Sequence, residues 1–195
     1  MQSRAPSGIT LIEVMVACVV VLTLILLIAN FTSRVPERMF RGQVLGNMKQ
    51  IHMATQAMTI DNAESGGPIS YTCRNRRPMT MAELKESLVQ GGYMSAEEWE
   101  RYLGYYVRGM LGFKRDMGEA FDLFAVNELD AGSTLFAVTK NWHGFPSGTL
   151  SGEPYGVDGF VAFQMCGSGA ILQPKNATDE KVIGTGGRHN YLRLK

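Results

Sequence analysis

One carboxylate lies inside a long apolar run near the start of the chain, and a glycine comes directly before that run. The run begins at Ile9, Glu13 is its fifth residue, and Gly8 precedes it. If the peptide bond after Gly8 is cut, the new amine on Ile9 carries a positive charge about one helical turn from the Glu13 carboxylate. With such a cut, the spacing would allow a charge pair, formed within one chain or between neighbouring chains.

The apolar run Ile9–Ala29 predicts a transmembrane helix. Its only ionisable groups are Glu13 and Cys18, and a helix of this length spans roughly 30 Å, the thickness of the hydrocarbon core of a bilayer. A carboxylate inside a bilayer costs on the order of 2.5–3.5 kcal/mol, so it usually has a partner and a function. The alternative is that Glu13 lies near the helix end and extends to the lipid headgroups.

The segment Gly8-Ile9-Thr10-Leu11-Ile12-Glu13-Val14 resembles the prepilin peptidase motif of type IV pilins and type II secretion pseudopilins. In that motif a Gly is followed by the cut, usually a Phe, then Thr-Leu-Ile-Glu and an apolar helix. The resemblance covers about residues 7–30, and the sequence departs from it at Ile9, where the family usually has Phe. It implies that Gly8 is the last leader residue, that Ile9 is the mature and N-methylated terminus, and that Glu13 acts in assembly.

The resemblance also implies a fold, a function and partners. The fold is α+β and pilin-like, with a long N-terminal transmembrane and amphipathic helix packed on a small C-terminal antiparallel β-sheet. The function is that of a structural subunit of a pilus-like filament, either a type II secretion pseudopilus or a type IV pilus, and not that of an enzyme. The implied partners are copies of the chain, other pilin-like subunits, prepilin peptidase, the inner-membrane assembly platform and membrane lipid.

Two signals disagree on the orientation in the membrane. One positive side chain, Arg4, precedes the apolar run and three follow it, Arg34, Arg38 and Arg41; counting them places the C-terminal side in the cytoplasm. The resemblance implies the opposite, a single-pass protein of the bacterial inner membrane with an extracytoplasmic C-terminal domain. After assembly the filament would lie in the periplasm or at the cell surface. We expect the arrangement that the resemblance implies.

These patterns divide the chain into four parts. Residues 1–8 form a leader, residues 9–30 the transmembrane helix, residues 31–62 its soluble continuation, and residues 63–195 a globular α+β domain. An ordinary secretory signal has its small-residue cleavage site after the apolar run, whereas Gly8 precedes the run, so the helix should be retained.

The soluble continuation predicts a helix with one apolar stripe. Apolar and small side chains recur three and four residues apart, as helical packing requires: Val44, Met48, Ile51, Thr55 and Met58. Pro36, Gly42 and Gly46 are poor helix formers. We therefore expect residues 34–46 to be the least stable part of the helix.

The globular part predicts two short helices followed by strands. Thr80 with Glu83, and Ser95 with Glu98, fit the capping-box pattern, and Gly91 and Gly104 would end the two helices. Runs of β-forming residues then predict four strands, at 121–126, 134–139, 159–165 and 170–172. The Gly- and Pro-rich stretch Asn141–Asp158 predicts a long exposed loop.

One pair of side chains in this domain could form a cross-link, and another pair could bind an ion. Cys73 and Cys166 would lie outside the cytoplasm, where they could form a disulfide, as pilins often do in this domain; the alternative is two free thiols. Glu153 and Asp158 could bind calcium, as some pseudopilins do, but solvated loop carboxylates are the more common case. We therefore expect no cofactor.

The sequence has no recognisable catalytic pattern. His52, His143 and His189 lack the spacing of metal ligands, and no zinc-type cysteine pair, nucleophile elbow or phosphate-binding loop is present. A net charge of +1 gives no support for nucleic-acid binding. The alternative function is that of a single-pass, membrane-anchored extracytoplasmic binding module that uses the loop Asn141–Asp158.

Overall fold

The computed structural model describes residues 11–66, 71–74, 77–108, 114–145 and 147–195. For residues 26–39, 105–108 and 114–117 it describes the backbone alone. The chain divides into two compact units, Met1–Phe40 and Arg41–Lys195.

The first element is a long helix, α1, which covers Leu11–Glu64. Its part within the second unit packs on the rest of that unit through the predicted stripe, whose five members are all buried. Thr55 is fully buried, and its hydroxyl donates to the backbone carbonyl oxygen of Ile51 at 2.8 Å. That internal hydrogen bond lets a threonine occupy an apolar interface without an unsatisfied polar group.

Two short helices follow, α2 (Met81–Gln90) and α3 (Ala96–Leu103). Both predicted capping boxes are present: Thr80 and Ser95 accept hydrogen bonds from the third helical residue, whose carboxylate accepts from the cap in return. Gly91 and Gly104 follow the last helical residues, as predicted. These local signals were sufficient because each cap involves residues only three positions apart.

The main sheet has four antiparallel strands, which come after two smaller, two-stranded sheets in the chain: β5 (Phe121–Leu123), β6 (Leu135–Thr139), β7 (Phe160–Gln164) and β8 (Gly169–Leu172). They lie side by side in the sheet in the same order as in the chain. Each begins within one residue of its predicted segment, although β5 ends three residues earlier than predicted, and the predicted α+β class with a C-terminal antiparallel sheet is confirmed. All five residues of β6 are buried, because both faces of the sheet are covered.

The two faces of the sheet are covered differently. On one face, Phe136 and Phe163 contact α1. On the other, the chain after β6 and after β8 forms a second core around the fully buried Trp142 and Phe160. This layer contains a short 3-10 helix, Pro174–Asn176, and a last helix, α4 (Glu180–Ile183). The C-terminal tail therefore packs back on the sheet.

The prediction of an exposed loop at Asn141–Asp158 is wrong for the parts of the loop that lie against the domain. Asn141 and Trp142 are fully buried, and Tyr155 is 7% exposed. The Asn141 side-chain amide donates to the carbonyl oxygens of Gly156 at 2.9 Å and Gly159 at 2.8 Å. These bonds close the loop onto the domain, whereas Ser151–Glu153, Val157 and Asp158 remain exposed.

Two strand pairs were not predicted. β1 (Cys73–Arg74) pairs with β2 (Arg77–Pro78), and β3 (Gly104–Arg108) pairs with β4 (Lys114–Glu119). β4 reads Lys-Arg-Asp-Met-Gly-Glu, a polar sequence with low strand propensity. Only its pairing with β3, in which Arg108 lies opposite Lys114, makes it a strand.

Candidate functional site

The candidate site is the apolar part of α1 that belongs to the first unit. Every described side chain from Leu11 to Ile25 is exposed, with Leu11 81% and Ile12 73% exposed. Soluble monomers rarely expose a continuous apolar surface of this extent. A helix that is apolar on all sides is stable only when another apolar phase covers it, either lipid or protein.

The one hydroxyl in this segment is satisfied within the helix. The Thr23 hydroxyl lies 3.0 Å from the carbonyl oxygen of Val19 and 2.8 Å from that of Val20. Such bonds to the preceding turn remove the need for an outside partner. Apart from Thr23 the segment has one other strongly polar side chain, Glu13, which is the only charged side chain between Leu11 and Ile25.

Glu13 lies in the first turn of α1, on an exposed part of the helix surface. It belongs to a shallow concavity along one side of the helix, which is lined by Glu13, Val14, Ala17, Cys18, Val21 and Leu22. The two predicted processing residues, Gly8 and Ile9, lie outside the described residues. The structure thus places the Glu13 carboxylate on an apolar helix but does not describe the terminus expected to pair with it.

Within the described part of the chain, no helix is both long enough and apolar enough to cross a membrane. The predicted span Ile9–Ala29 also includes Ile9, Thr10 and the side chains of residues 26–29, which lie outside that part. The transmembrane helix stays a prediction from the sequence.

The sequence did not assign a structural role to His52. Its imidazole is 3% exposed, and its ring packs against Phe136 and Phe163 with centroids 5.0 Å and 5.2 Å away. Burial lowers the pKa of His52, although the bond to the carbonyl of Met165 opposes this shift. Its position on the apolar stripe of α1, four residues after Met48, was the signal that could have identified it as a core residue.

The described thiols are not joined. Cys18 and Cys166 are exposed and Cys73 is buried, and all three are free. Burial, with the nearby carboxylates of Asp130 and Glu128, raises the pKa of Cys73 to about 11. Of the two alternatives for Cys73 and Cys166, the structure contains the unpaired one.

A groove of about 440 Å³ lies between the C-terminal part of α1 and α2. Its apolar surface includes the buried Met58 and Met79, and its rim is polar. On that rim Glu83 accepts hydrogen bonds from the backbone N–H of Thr80 and from Arg77, which together hold its pKa below the usual range. The bond to Thr80 caps α2, so the carboxylate has a structural role.

The described residues contain no group of three or more His, Cys, Asp or Glu side chains placed to hold a metal ion. The two carboxylates that could bind calcium, Glu153 and Asp158, are both exposed on the loop. Neither therefore belongs to such a group in the part of the chain that the structure describes.

Comparisons with known proteins do not assign this chain: no protein-family model, no curated protein and no solved structure matches it. A functional assignment therefore depends on the chain's own residues. The features that bear on it are the exposed apolar helix, its single carboxylate and the motif that begins at Gly8.

Proposed function

We propose that this chain is a structural subunit of a pilus-like filament, of the type II secretion pseudopilus or type IV pilus kind. The observation that carries the proposal is the long apolar helix segment with every described side chain exposed and one carboxylate, Glu13, near its start. A membrane anchor alone needs an apolar helix but no carboxylate and no small residue before it.

Processing prepares the helix for assembly. Prepilin peptidase hydrolyses the peptide bond between Gly8 and Ile9, which leaves a carboxylate on Gly8 and a protonated amine on Ile9. The leader Met1–Gly8 is removed, and the rest of the chain stays in the inner membrane with its C-terminal domain outside the cytoplasm. Methylation of the Ile9 amine would keep its positive charge.

Assembly is driven by two effects that act on the same segment. Packing of apolar helices from several subunits gives most of the stabilisation, because many weak contacts are made together. The Glu13 carboxylate then pairs with the Ile9 amine of a neighbour. In a low-dielectric surrounding an unpaired charge is costly, so this pair favours the assembled register over others.

The second unit, Arg41–Lys195, has a different role in this proposal. Its long helix carries an α+β domain whose sheet is covered on both faces, and in a helical filament such a domain lies on the outside. We propose no catalytic step for it. Calcium binding at Glu153 and Asp158 would be an addition to the loop and not a requirement for assembly.

The proposal is tested with Glu13→Val in the full chain. The substitution should leave membrane insertion and folding intact and reduce filament assembly strongly, as measured by filament yield and by the amount of membrane-bound subunit. Glu13→Asp keeps the charge and is the matched control, with assembly closer to that of the wild type. Wild-type assembly by Glu13→Val would contradict the role of the carboxylate.

A further inference from the structure

We propose that the groove between the C-terminal part of α1 and helix α2 binds a primary ammonium group on an alkyl chain, either the side chain of a lysine in a peptide or a free alkylamine. The groove has a volume of about 440 Å³, within the range of roughly 300–1,000 Å³ that is typical of small-ligand sites. All of its described lining residues belong to the second unit, Arg41–Lys195. The inference therefore goes beyond the proposed function and does not require it.

Two helix ends meet at this groove. α1 ends at Glu64 and α2 at Gln90, and the lining includes Asn62 of α1 as well as Gln90. The C-terminal end of a helix carries partial negative charge, which a cation stabilises. Neither helix has a basic residue in its last turn. Both negative ends therefore lack a cation from their own helix.

The described lining also carries more negative than positive charge. Its charged members are Glu83, Glu86 and Arg74. Glu83 caps α2, whereas Glu86 is exposed and accepts a hydrogen bond from the side-chain amide of Gln90 at 2.8 Å. An ionised carboxylate accepts more than one hydrogen bond, so Glu86 can also accept from an ammonium. Charge complementarity therefore favours a cation as the ligand, with Glu86 as its partner.

The remaining surface of the groove fits an alkyl chain. It includes the thioether side chains of Met58 and Met79, which are 5% and 4% exposed and adapt readily to the shape of an apolar ligand. The ring of Tyr93 packs against Gly91, where a Cβ atom would lie only 2.3 Å from the ring. The Tyr93 hydroxyl donates to Asp61 at 2.8 Å, which holds the ring in place. The groove thus combines a preformed apolar surface for methylene groups with a carboxylate for the ammonium.

Methyl NMR of the full chain in detergent, with isotope-labelled methionine methyl groups, tests the site at neutral pH. Met58→Leu and Met79→Leu assign the two groove signals, and the fully buried Met48 reports whether the fold is intact. Two amines are titrated, Nα-acetyl-lysine N-methylamide for a lysine in a peptide and n-butylamine for a free alkylamine. Both should shift the signals of Met58 and Met79 but not that of Met48. The amine that binds more tightly identifies the source of the ammonium.

Three variants provide the matched comparison. Glu86→Gln keeps an acceptor for Gln90 but removes the charge, so it should weaken the binding of both amines several-fold. Arg74→Gln removes a positive charge from the lining and should strengthen their binding. Glu97→Gln changes an exposed carboxylate of α3 outside the lining and should leave the binding unchanged.

Two further probes test the charge of the ligand. The analogue of the lysine probe with norleucine has no ammonium, and hexanoate is an anion, so each should bind several-fold more weakly than the amines. Equal or tighter binding of either probe would overturn the inference. Unchanged binding by Glu86→Gln, weaker binding by Arg74→Gln, or no shift of Met58 and Met79 with either amine would overturn it as well.

Discussion

The imidazole Nε2 of His52 lies 2.8 Å from the backbone carbonyl oxygen of Met165, so one hydrogen bond joins the long helix to the end of strand β7. The two residues are 113 positions apart in the chain. The same ring packs edge-on against Phe136 and at a tilt against Phe163. His52 therefore fixes the helix on the sheet through both a polar bond and aromatic contacts.

This burial predicts how stability depends on pH. Because the pKa of His52 is lower in the folded state than its usual value of 6.5, the unfolded state binds more protons near that pH. The contribution of neutral His52 is complete above about pH 6.5 and is lost as the pH falls toward the lower folded-state pKa. His52→Phe should reduce the pH dependence of the unfolding free energy in this range, measured by urea denaturation in detergent.

The comparison is between the wild-type chain and His52→Phe over the same range of pH. If His52→Phe and the wild-type chain lost stability equally as the pH was lowered, protonation of His52 would not be the cause.

Removing the capping hydroxyl of α2 or of α3 should destabilise the domain. Thr80→Ala removes the hydroxyl that accepts from the backbone N–H of Glu83 at 3.1 Å, and Ser95→Ala removes the equivalent bond to Glu98 at 3.1 Å. Each substitution should lower the free energy of unfolding by about 0.5–2 kcal/mol, the usual cost of a lost N-cap. Ser168→Ala, on the exposed turn between β7 and β8, should change it little. Equal losses at all three positions would argue against the caps.

The sequence predicted those features whose determinants are close together. The caps at Thr80 and Ser95 and the four strands of the sheet depend on short patterns, and all are present. The polar strand β4 and the buried base of the loop at Asn141 depend on partners far along the chain. No local pattern contains those partners, so the sequence predicted an exposed loop and missed the strand.

The candidate site likewise has features that a short sequence pattern predicts and features that it does not. The motif at Gly8 and Glu13 predicts an assembly segment, which stays a prediction, and the apolar composition of that segment explains its exposed side chains. The concavity on one side of the helix depends on which residues share a face, which the helical repeat contains but a linear motif search does not use. The pairing of Cys73 and Cys166 could not be decided, because sequence gives no distance between them.

The buried side chain of Asp130 should stabilise the packing of the C-terminal tail on the domain. Its side chain is 2% exposed, and its oxygens accept from the backbone N–H groups of Asn127 at 2.8 Å and Arg188 at 2.9 Å. Asp130→Ala leaves both donors without this acceptor and should lower the free energy of unfolding by about 1–3 kcal/mol. Asp158→Ala removes an exposed carboxylate from the loop and should have little effect. Denaturant unfolding of both variants, with no difference between them, would contradict the role of Asp130.

Cys73 and Cys166 should react at different rates with an alkylating reagent. Cys166 is exposed, whereas Cys73 is buried and has its pKa raised to about 11, so little of it is thiolate at neutral pH. In the folded chain without reductant, iodoacetamide should modify Cys166 readily and Cys73 only after unfolding, as followed by peptide mass spectrometry. If both resisted modification in denaturant until a reductant was added, they would be paired in a disulfide.

The most direct test of the proposed function is the intact mass of the protein purified from its own membrane. The account predicts a chain that begins at Ile9, without Met1–Gly8, and an added methyl group would show that Ile9 is accepted for N-methylation. A full-length mass would mean that the bond after Gly8 is not cut. That result would contradict the filament-subunit proposal and leave the anchored binding module as the better account.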